Sequence, residues 1–122
     1  MASVSVGGVD IDYTDTGSGP VVVFVHGAYV TGRLWQDVVD RLSGSHRCIA
    51  PTFPFGAQAE PVGAHVDLTV AASGRLIAGL LEALDLSDVT LVSNDTGGGI
   101  VLASLGNAMP AWGRVSKMVF TN

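Results

Sequence analysis

The stretch that decides the fold is Leu91-Val92-Ser93-Asn94-Asp95-Thr96-Gly97-Gly98-Gly99, an apolar strand pattern that turns through Asp95 into a glycine-rich helix start. This order predicts a nucleophile elbow, a strained strand-to-helix turn that presents one reactive side chain. Such a turn needs small residues two places before and two places after its centre, and Ser93 and Gly97 meet that need. A centre one or two places earlier would put a valine or a leucine at a flank. We therefore expect Asp95 to be the nucleophile, within an elbow formed by Ser93, Asn94, Gly97 and Gly98.

Two other interpretations of this stretch stay open. Aspartate is a common N-cap of helices, although a cap does not explain small residues on both sides of it. A glycine-rich helix start can also bind phosphate. The dinucleotide fingerprint would need a third glycine at position 102, which is Leu102, and the chain has no Gly-Lys-Ser/Thr of a P-loop. Nucleotide binding is therefore the weaker alternative.

Composition limits the classes of partner. A chain of 122 residues forms at most one domain, which we place over residues 1–122. Its net charge of −5 and the lack of a basic run argue against nucleic acid. No window approaches the roughly 18 apolar residues of a membrane span, and the first residues do not resemble a signal peptide. We expect a cytoplasmic protein with a small-molecule substrate, no membrane or nucleic-acid partner, and neither cofactor nor metal.

Strand and helix patterns alternate along the chain, which predicts the α/β class with a mostly parallel sheet and helices on both faces. A leading β-hairpin is indicated by alternating residues, and Val21-Val22-Val23-Phe24-Val25 is typical of a strand buried on both faces. The lone cysteine, Cys48, fits a buried structural thiol. The predicted strands cover residues 3–6, 9–13, 21–25, 47–50, 89–92 and 117–121.

The helices are predicted from apolar residues at helical spacing. Thr31 is the expected cap of a first helix, and Asp67 of a second. A third helix is expected after Gly98 and before Pro110. A loop over residues 51–66 is long enough to be functional or mobile. The first helix is predicted to bury one stripe, which comprises Leu34, Trp35, Val38, Val39 and Leu42.

The order Gly19-Pro20, buried strand, His26-Gly27 and later elbow resembles the α/β-hydrolase fold. An aspartate at the elbow resembles the haloalkane dehalogenases and epoxide hydrolases, and the wider pattern, with residues 51–57, resembles a group of actinobacterial α/β-hydrolases. The resemblance implies that Asp95 is the nucleophile and that the backbone N–H groups of Ala28 and Thr96 form an oxyanion hole. It also implies that His26 and Gly27 support the oxyanion loop.

The chain departs from these relatives in identifiable places. Dehalogenases of this type carry Asn and Trp where this chain has Ala28 and Thr96, which argues against their reaction. Epoxide hydrolases commonly carry proline where this chain has Tyr29, and their reaction stays open. The resemblance places a cap, later strands and the catalytic histidine and acid beyond the sixth predicted strand, which ends near Asn122. We expect these parts to be missing here, which leaves His65 as the one conceivable substitute base, more simply an exposed loop histidine.

Two functions follow as expectations. The first is the N-terminal part of a hydrolase that attacks a small apolar ester, halide or epoxide through a covalent alkyl- or acyl-enzyme intermediate. The second is a catalytically incomplete relic, or a small-molecule binding or interaction module without turnover. In either case, a C-terminal chain that completes the fold or a second copy of this chain is the expected partner for apolar faces left exposed.

Overall fold

One mixed β-sheet organises the computed structural model, which describes residues 2–55, 69–106 and 109–122. Its order is β1-β2-β4-β3-β5-β6 for strands β1 (Ala2–Val6), β2 (Val9–Thr16), β3 (Val21–Val25), β4 (Arg47–Thr52), β5 (Val89–Asn94) and β6 (Val115–Thr121). Strand β2 pairs antiparallel with β1 and with β4, and the remaining neighbours are parallel. The predicted α/β class, leading hairpin and mostly parallel sheet are confirmed.

Helices cover both faces of this sheet, as the sequence predicts. They are α1 (Gln36–Leu42), α2 (Val70–Ala83) and α3 (Thr96–Leu105), with 3-10 helices at Gly32–Trp35 and Pro110–Arg114. Alternate residues of β3 point to opposite faces, so Val23 packs in the cluster that holds α2 and α3. Phe24 packs in the other cluster, with its ring centroid 5.0 Å from that of Trp35. No helix in the described residues is long and apolar enough to cross a membrane.

The first helix differs from its prediction. Thr31 does cap it, because its side chain accepts a hydrogen bond from the Arg33 N–H. The segment is however a 3-10 helix followed by α1, and this change of period rotates part of the apolar stripe away from the core. Trp35 and Val39 are buried, whereas Leu34 is 46% exposed and Val38 40% exposed, so the prediction that these two belong to the core was wrong.

Other boundaries also move. Strand β4 continues to Thr52, because antiparallel pairing with β2 places Pro51 opposite Tyr13, so the predicted loop begins later than residue 51. Helix α3 begins at Thr96, before the glycines rather than after them. The proposed cap Asp67 lies outside the described residues, and the side chain of Thr69 caps α2 by accepting from the Ala72 N–H at 3.2 Å.

Candidate active site at the carboxyl end of β5

The site lies where the chain changes direction between neighbouring strands. From β3 the chain runs to α1 on one face of the sheet, and from β5 it runs to α3 on the opposite face. Because β3 and β5 are adjacent and parallel, the loops at their carboxyl ends start side by side and lead to opposite faces of the sheet. In open α/β sheets ligands bind at such a switch point. Asp95 and Gly27 lie at this position, one on each loop.

Asp95 occupies the single-residue turn between β5 and α3. Its backbone has φ 50° and ψ −119°, a conformation that only glycine adopts without strain. Its side chain is exposed and makes no capping hydrogen bond to the helix, although it stands at the N-cap position. An aspartate used as a cap has an extended backbone and accepts from the first turn. The cap interpretation therefore does not explain Asp95.

The small residues around Asp95 are required by close packing. A Cβ at Gly97 would overlap the carbonyl oxygen of His26 and would lie 2.9 Å from the Val25 side chain. A Cβ at Gly98 would lie 3.5 Å from the hydroxyl of Ser93, which is itself buried. Helix α3 thus rests directly on the end of β3 and on β5. This contact gives the physical reason for small residues on both sides of the turn.

His26 is a buried, neutral histidine that joins two loops. Its Nε2 accepts from the backbone N–H of Phe53 at 2.8 Å, so that nitrogen carries no proton. Its Nδ1 therefore donates to the carbonyl oxygen of Gly27 at 2.7 Å. Burial lowers the pKa of His26 against the smaller opposing effect of the Gly27 hydrogen bond. The ring also packs 5.0 Å from Phe55, centroid to centroid. Both nitrogens are occupied, so His26 supports the loop and has no free nitrogen for proton transfer.

The loop that His26 supports lies against the Asp95 turn. A Cβ at Gly27 would stand 3.4 Å from the Cβ of Asp95 and 3.4 Å from the carbonyl oxygen of Asn94. Ala28, which follows Gly27, is half-buried, and Thr96, which follows Asp95, is exposed. Ala28 and Thr96, the residues expected to supply oxyanion donors, therefore each come directly after one of the two residues, Gly27 and Asp95, that approach each other here.

Thr121, at the end of β6, is a supporting residue that sequence reasoning missed. Its carbonyl oxygen accepts from the Asp95 N–H at 3.0 Å. Its hydroxyl accepts from the Asn94 side-chain amide and donates to the Ser93 carbonyl oxygen, both at 3.2 Å. These bonds fix the strand side of the turn. No local sequence signal identifies Thr121, because its place depends on the pairing register of β5 with β6.

The other histidines are not brought to Asp95 within the described residues. His46 precedes β4 and hydrogen-bonds to the Ser45 hydroxyl at 2.7 Å. Since β4 and β5 both run parallel to β3, His46 is at the opposite end of the sheet, about 20 Å away along the six-residue strand. His65 lies outside the described residues. No three His, Cys, Asp or Glu side chains within residues 2–55, 69–106 and 109–122 form a metal-binding group.

A strand, a turn through a strained residue and a helix packed against a His-Gly loop are the features of the α/β-hydrolase class of folds. The model of the alpha/beta hydrolase family matches residues 22–121. The chain belongs to this family. It is 39% identical over 106 residues to a 2-hydroxy-6-oxo-2,4-heptadienoate hydrolase of Pseudomonas putida, which covers 82% of this chain and 37% of that protein.

Two further relatives are both named haloalkane dehalogenases. A haloalkane dehalogenase of Mesorhizobium japonicum is 33% identical over 89 residues, covering 71% of this chain and 28% of the relative. The crystal structure of the haloalkane dehalogenase DatA from Agrobacterium tumefaciens C58 superposes with a TM-score of 0.78 at 30% identity, covering 98% of this chain and 39% of that structure. The chain thus spans less than half the length of these relatives. The shared fold establishes the family, and the activity is a separate question.

Proposed function

We propose that this chain supplies the nucleophile of an α/β-fold hydrolase, with Asp95 attacking a small apolar ester, halide or epoxide to form a covalent intermediate. One observation carries the proposal. Asp95 is exposed in a strained conformation at the switch point of the sheet, and its carboxylate makes no capping bond. Strain of this kind is found where the surrounding structure holds a functional side chain in place.

The first chemical step needs no other side chain. An oxygen of the Asp95 carboxylate forms a bond to the sp3 carbon of the substrate. The carbon–halogen bond breaks and the halide leaves with the electron pair, or the epoxide C–O bond breaks and the ring oxygen takes a proton from water. The product is an alkyl ester of Asp95. Attack on the carbonyl carbon of an ester would break its C–O bond to the alkoxy group, which leaves with the electron pair and takes a proton from water, and would give an acyl-enzyme anhydride of Asp95 instead.

The backbone N–H groups of Ala28 and Thr96 are proposed as the oxyanion hole. They would stabilise the negative oxygen that develops when a carbonyl carbon at Asp95 is attacked. The close approach of Gly27 to Asp95 supports this role, since it places the two loops side by side. The N-terminus of α3, which begins at Thr96, adds partial positive charge beside Asp95.

Hydrolysis of the Asp95 ester requires a base that activates water. His26 has both ring nitrogens in hydrogen bonds, and His46 lies at the far end of the sheet. Neither histidine of the described residues is thus available as this base, and His65 lies outside them. We propose that the chain alone forms the ester without releasing it, and that a C-terminal partner segment supplies the histidine and its acid.

Intact mass spectrometry tests this proposal. The chain is incubated with a small terminal epoxide and, separately, with a primary alkyl bromide, and we expect one adduct per chain at Asp95 that persists on dilution. Asp95→Asn should abolish it. Asp88→Asn is the matched control, because Asp88 is also exposed, also has a positive φ (53°), and lies at the opposite end of β5. An adduct that survives in Asp95→Asn contradicts the proposal.

The second candidate function is a binding or interaction module without turnover. Exposed apolar side chains on α3 and at the edge of β6 favour it: Leu102 is 58% exposed, Leu105 38% and Phe120 44%. Gly98 faces Phe120, and positions 102 and 105 follow on the same side of the helix. A C-terminal chain or a second copy would cover this surface. Size-exclusion chromatography at several concentrations tests it, and a monomer throughout argues against pairing between copies.

A further inference from the structure

Tyr29 has an unusual backbone conformation beside the site. Among the described residues, the non-glycine positions with positive φ are Tyr29 (64°) and three aspartates, namely Asp85, Asp88 and Asp95. Asp95 is strained by its ψ of −119° as well. Aspartate otherwise tolerates positive φ because its short side chain can bond locally, whereas a bulky residue there is a true outlier. Glycine would adopt the same turn without strain. The turn itself therefore gives no reason for a tyrosine.

Packing gives no reason for it either. Tyr29 is 91% exposed, far above the next most exposed large apolar residue, Leu102, at 58%. Its ring is not among the aromatic pairs of the described residues, whereas Phe53 and Phe55 stack on each other with centroids 5.4 Å apart and both contact the His26 ring. A strained residue whose ring supports nothing in the fold is one whose ring is available to a ligand.

The location of Tyr29 indicates which ligand its ring would contact. It follows Gly27 by two residues, a span of at most about 7 Å along the chain. Gly27 stands in van der Waals range of the Asp95 side chain. The backbone of Tyr29 is thus within about 7 Å of the residue that contacts Asp95, on the same loop.

We propose that Tyr29 determines substrate specificity at the Asp95 site, and that it selects substrates with an aryl ring next to the reacting carbon. This inference rests on the proposed function. The substrate ring packs in an offset or edge-to-face arrangement on the phenol ring, a contact that straight alkyl chains of the same size do not make. Such a pair favours the aryl substrate by about three- to tenfold over the alkyl one.

The test compares rates of adduct formation at Asp95 with styrene oxide and with 1,2-epoxyhexane, measured by intact mass. The readout is the ratio of the two rates in each variant, which cancels changes in protein stability. Dividing it by the wild-type ratio cancels the intrinsic reactivity of the probes. We expect Tyr29→Asn to lower this ratio about three- to tenfold, and Tyr29→Phe to leave it unchanged. Asparagine tolerates positive φ, so this variant keeps the turn. Leu34→Asn, an exposed apolar position in the following 3-10 helix, is the control that should keep the wild-type ratio.

The outcomes separate the two proposals. If wild-type Asp95 is labelled and the ratio in Tyr29→Asn equals that of wild type, the specificity role is wrong and the proposed function stands. If Tyr29→Phe loses the preference together with Tyr29→Asn, the hydroxyl and not the ring face is responsible, which also overturns the inference. If neither probe labels Asp95, the proposed function fails and the inference fails with it.

Discussion

Substitution of Gly97 by alanine tests the packing of the Asp95 turn directly. The new methyl group would overlap the carbonyl oxygen of His26 and lie 2.9 Å from Val25 Cγ1 and 3.2 Å from the His26 carbonyl carbon. Two of these atoms are backbone at the end of a central strand, so they cannot move aside as a flexible side chain would. Helix α3 must shift instead, and the turn that holds Asp95 shifts with it.

The magnitude follows from two opposing effects. Overpacking of a rigid core position costs about 1–3 kcal/mol, and the backbone contact at Gly97 belongs at the upper end. Alanine gains about 0.5–1 kcal/mol over glycine in a helix. The net loss in the free energy of unfolding is therefore about 2 kcal/mol. At Gly99, two residues later in the same helix, an added Cβ meets nothing within 4 Å, so only the gain applies.

Urea denaturation followed by tryptophan fluorescence measures both variants. We expect the midpoint to fall for Gly97→Ala and to rise for Gly99→Ala. The midpoint for Gly98→Ala should lie between those two, because the added Cβ would be 3.3 Å from the half-exposed ring of Phe120, which can move. The rate of adduct formation at Asp95 should fall only for Gly97→Ala. A Gly97→Ala chain as stable as the Gly99→Ala chain would refute the packing argument.

Three further changes have expected outcomes. Burial lowers the pKa of His26 in the folded state. The free energy of unfolding is therefore undiminished by this group above its unfolded pKa of about 6.5, and it decreases by up to about 1.4 kcal/mol per pH unit as the pH is lowered further. Urea titrations from pH 7.5 to 5 should show this slope in wild type and in His46→Gln, and lose it in His26→Gln. The free energy of unfolding of Asp95→Gly should be about 1 kcal/mol higher than that of Asp95→Ala in the same assay, because only glycine relieves the strained φ. Equal stabilities would argue against strain. Gly74→Ala should destabilise by about 2 kcal/mol, since its methyl group overlaps the Ser104 side chain, and Ser104→Gly in the same chain should recover at least about 1 kcal/mol of that loss. Additive effects in this double-mutant cycle would contradict the contact.

Local patterns predicted the parts of the fold that depend on local chemistry. The run over residues 21–25 could be assigned to a strand buried on both faces, because every residue in it is apolar and most are β-branched. The small residues around Asp95 predicted its turn for a related reason, since steric limits within a few residues determine which side chains the turn can accept. The exposure of Leu34 and Val38 could not be predicted, because it depends on a change from 3-10 to α period that the apolar spacing does not encode.

The supporting contacts of the site were beyond local patterns for a different reason. Thr121 reaches the turn only through the register of β6 on β5, 26 residues after Asp95. Phe53 fixes the protonated nitrogen of His26 only because β4 ends beside β3. Each contact joins residues far apart in sequence and uses at least one backbone group, the carbonyl oxygen of Thr121 or the N–H of Phe53. Because nearly every residue type has these backbone groups, the identity of Thr121 or Phe53 does not by itself predict the contact.

The arrangement of unfavourable features argues for a site rather than a simple structural turn. Asp95 has a backbone that glycine would adopt more readily, and Tyr29 has the same feature on the facing loop. The loop that carries Tyr29 rests on a histidine, His26, that is buried without charge and whose two ring nitrogens are both hydrogen-bonded. A turn selected only for stability would carry glycine at both strained positions and an apolar residue at position 26. Asp85 and Asp88, before β5, also have positive φ, so strain alone does not mark the site. The two strained positions on the facing loops support the proposed function because Asp95 makes no capping bond and Tyr29 is 91% exposed.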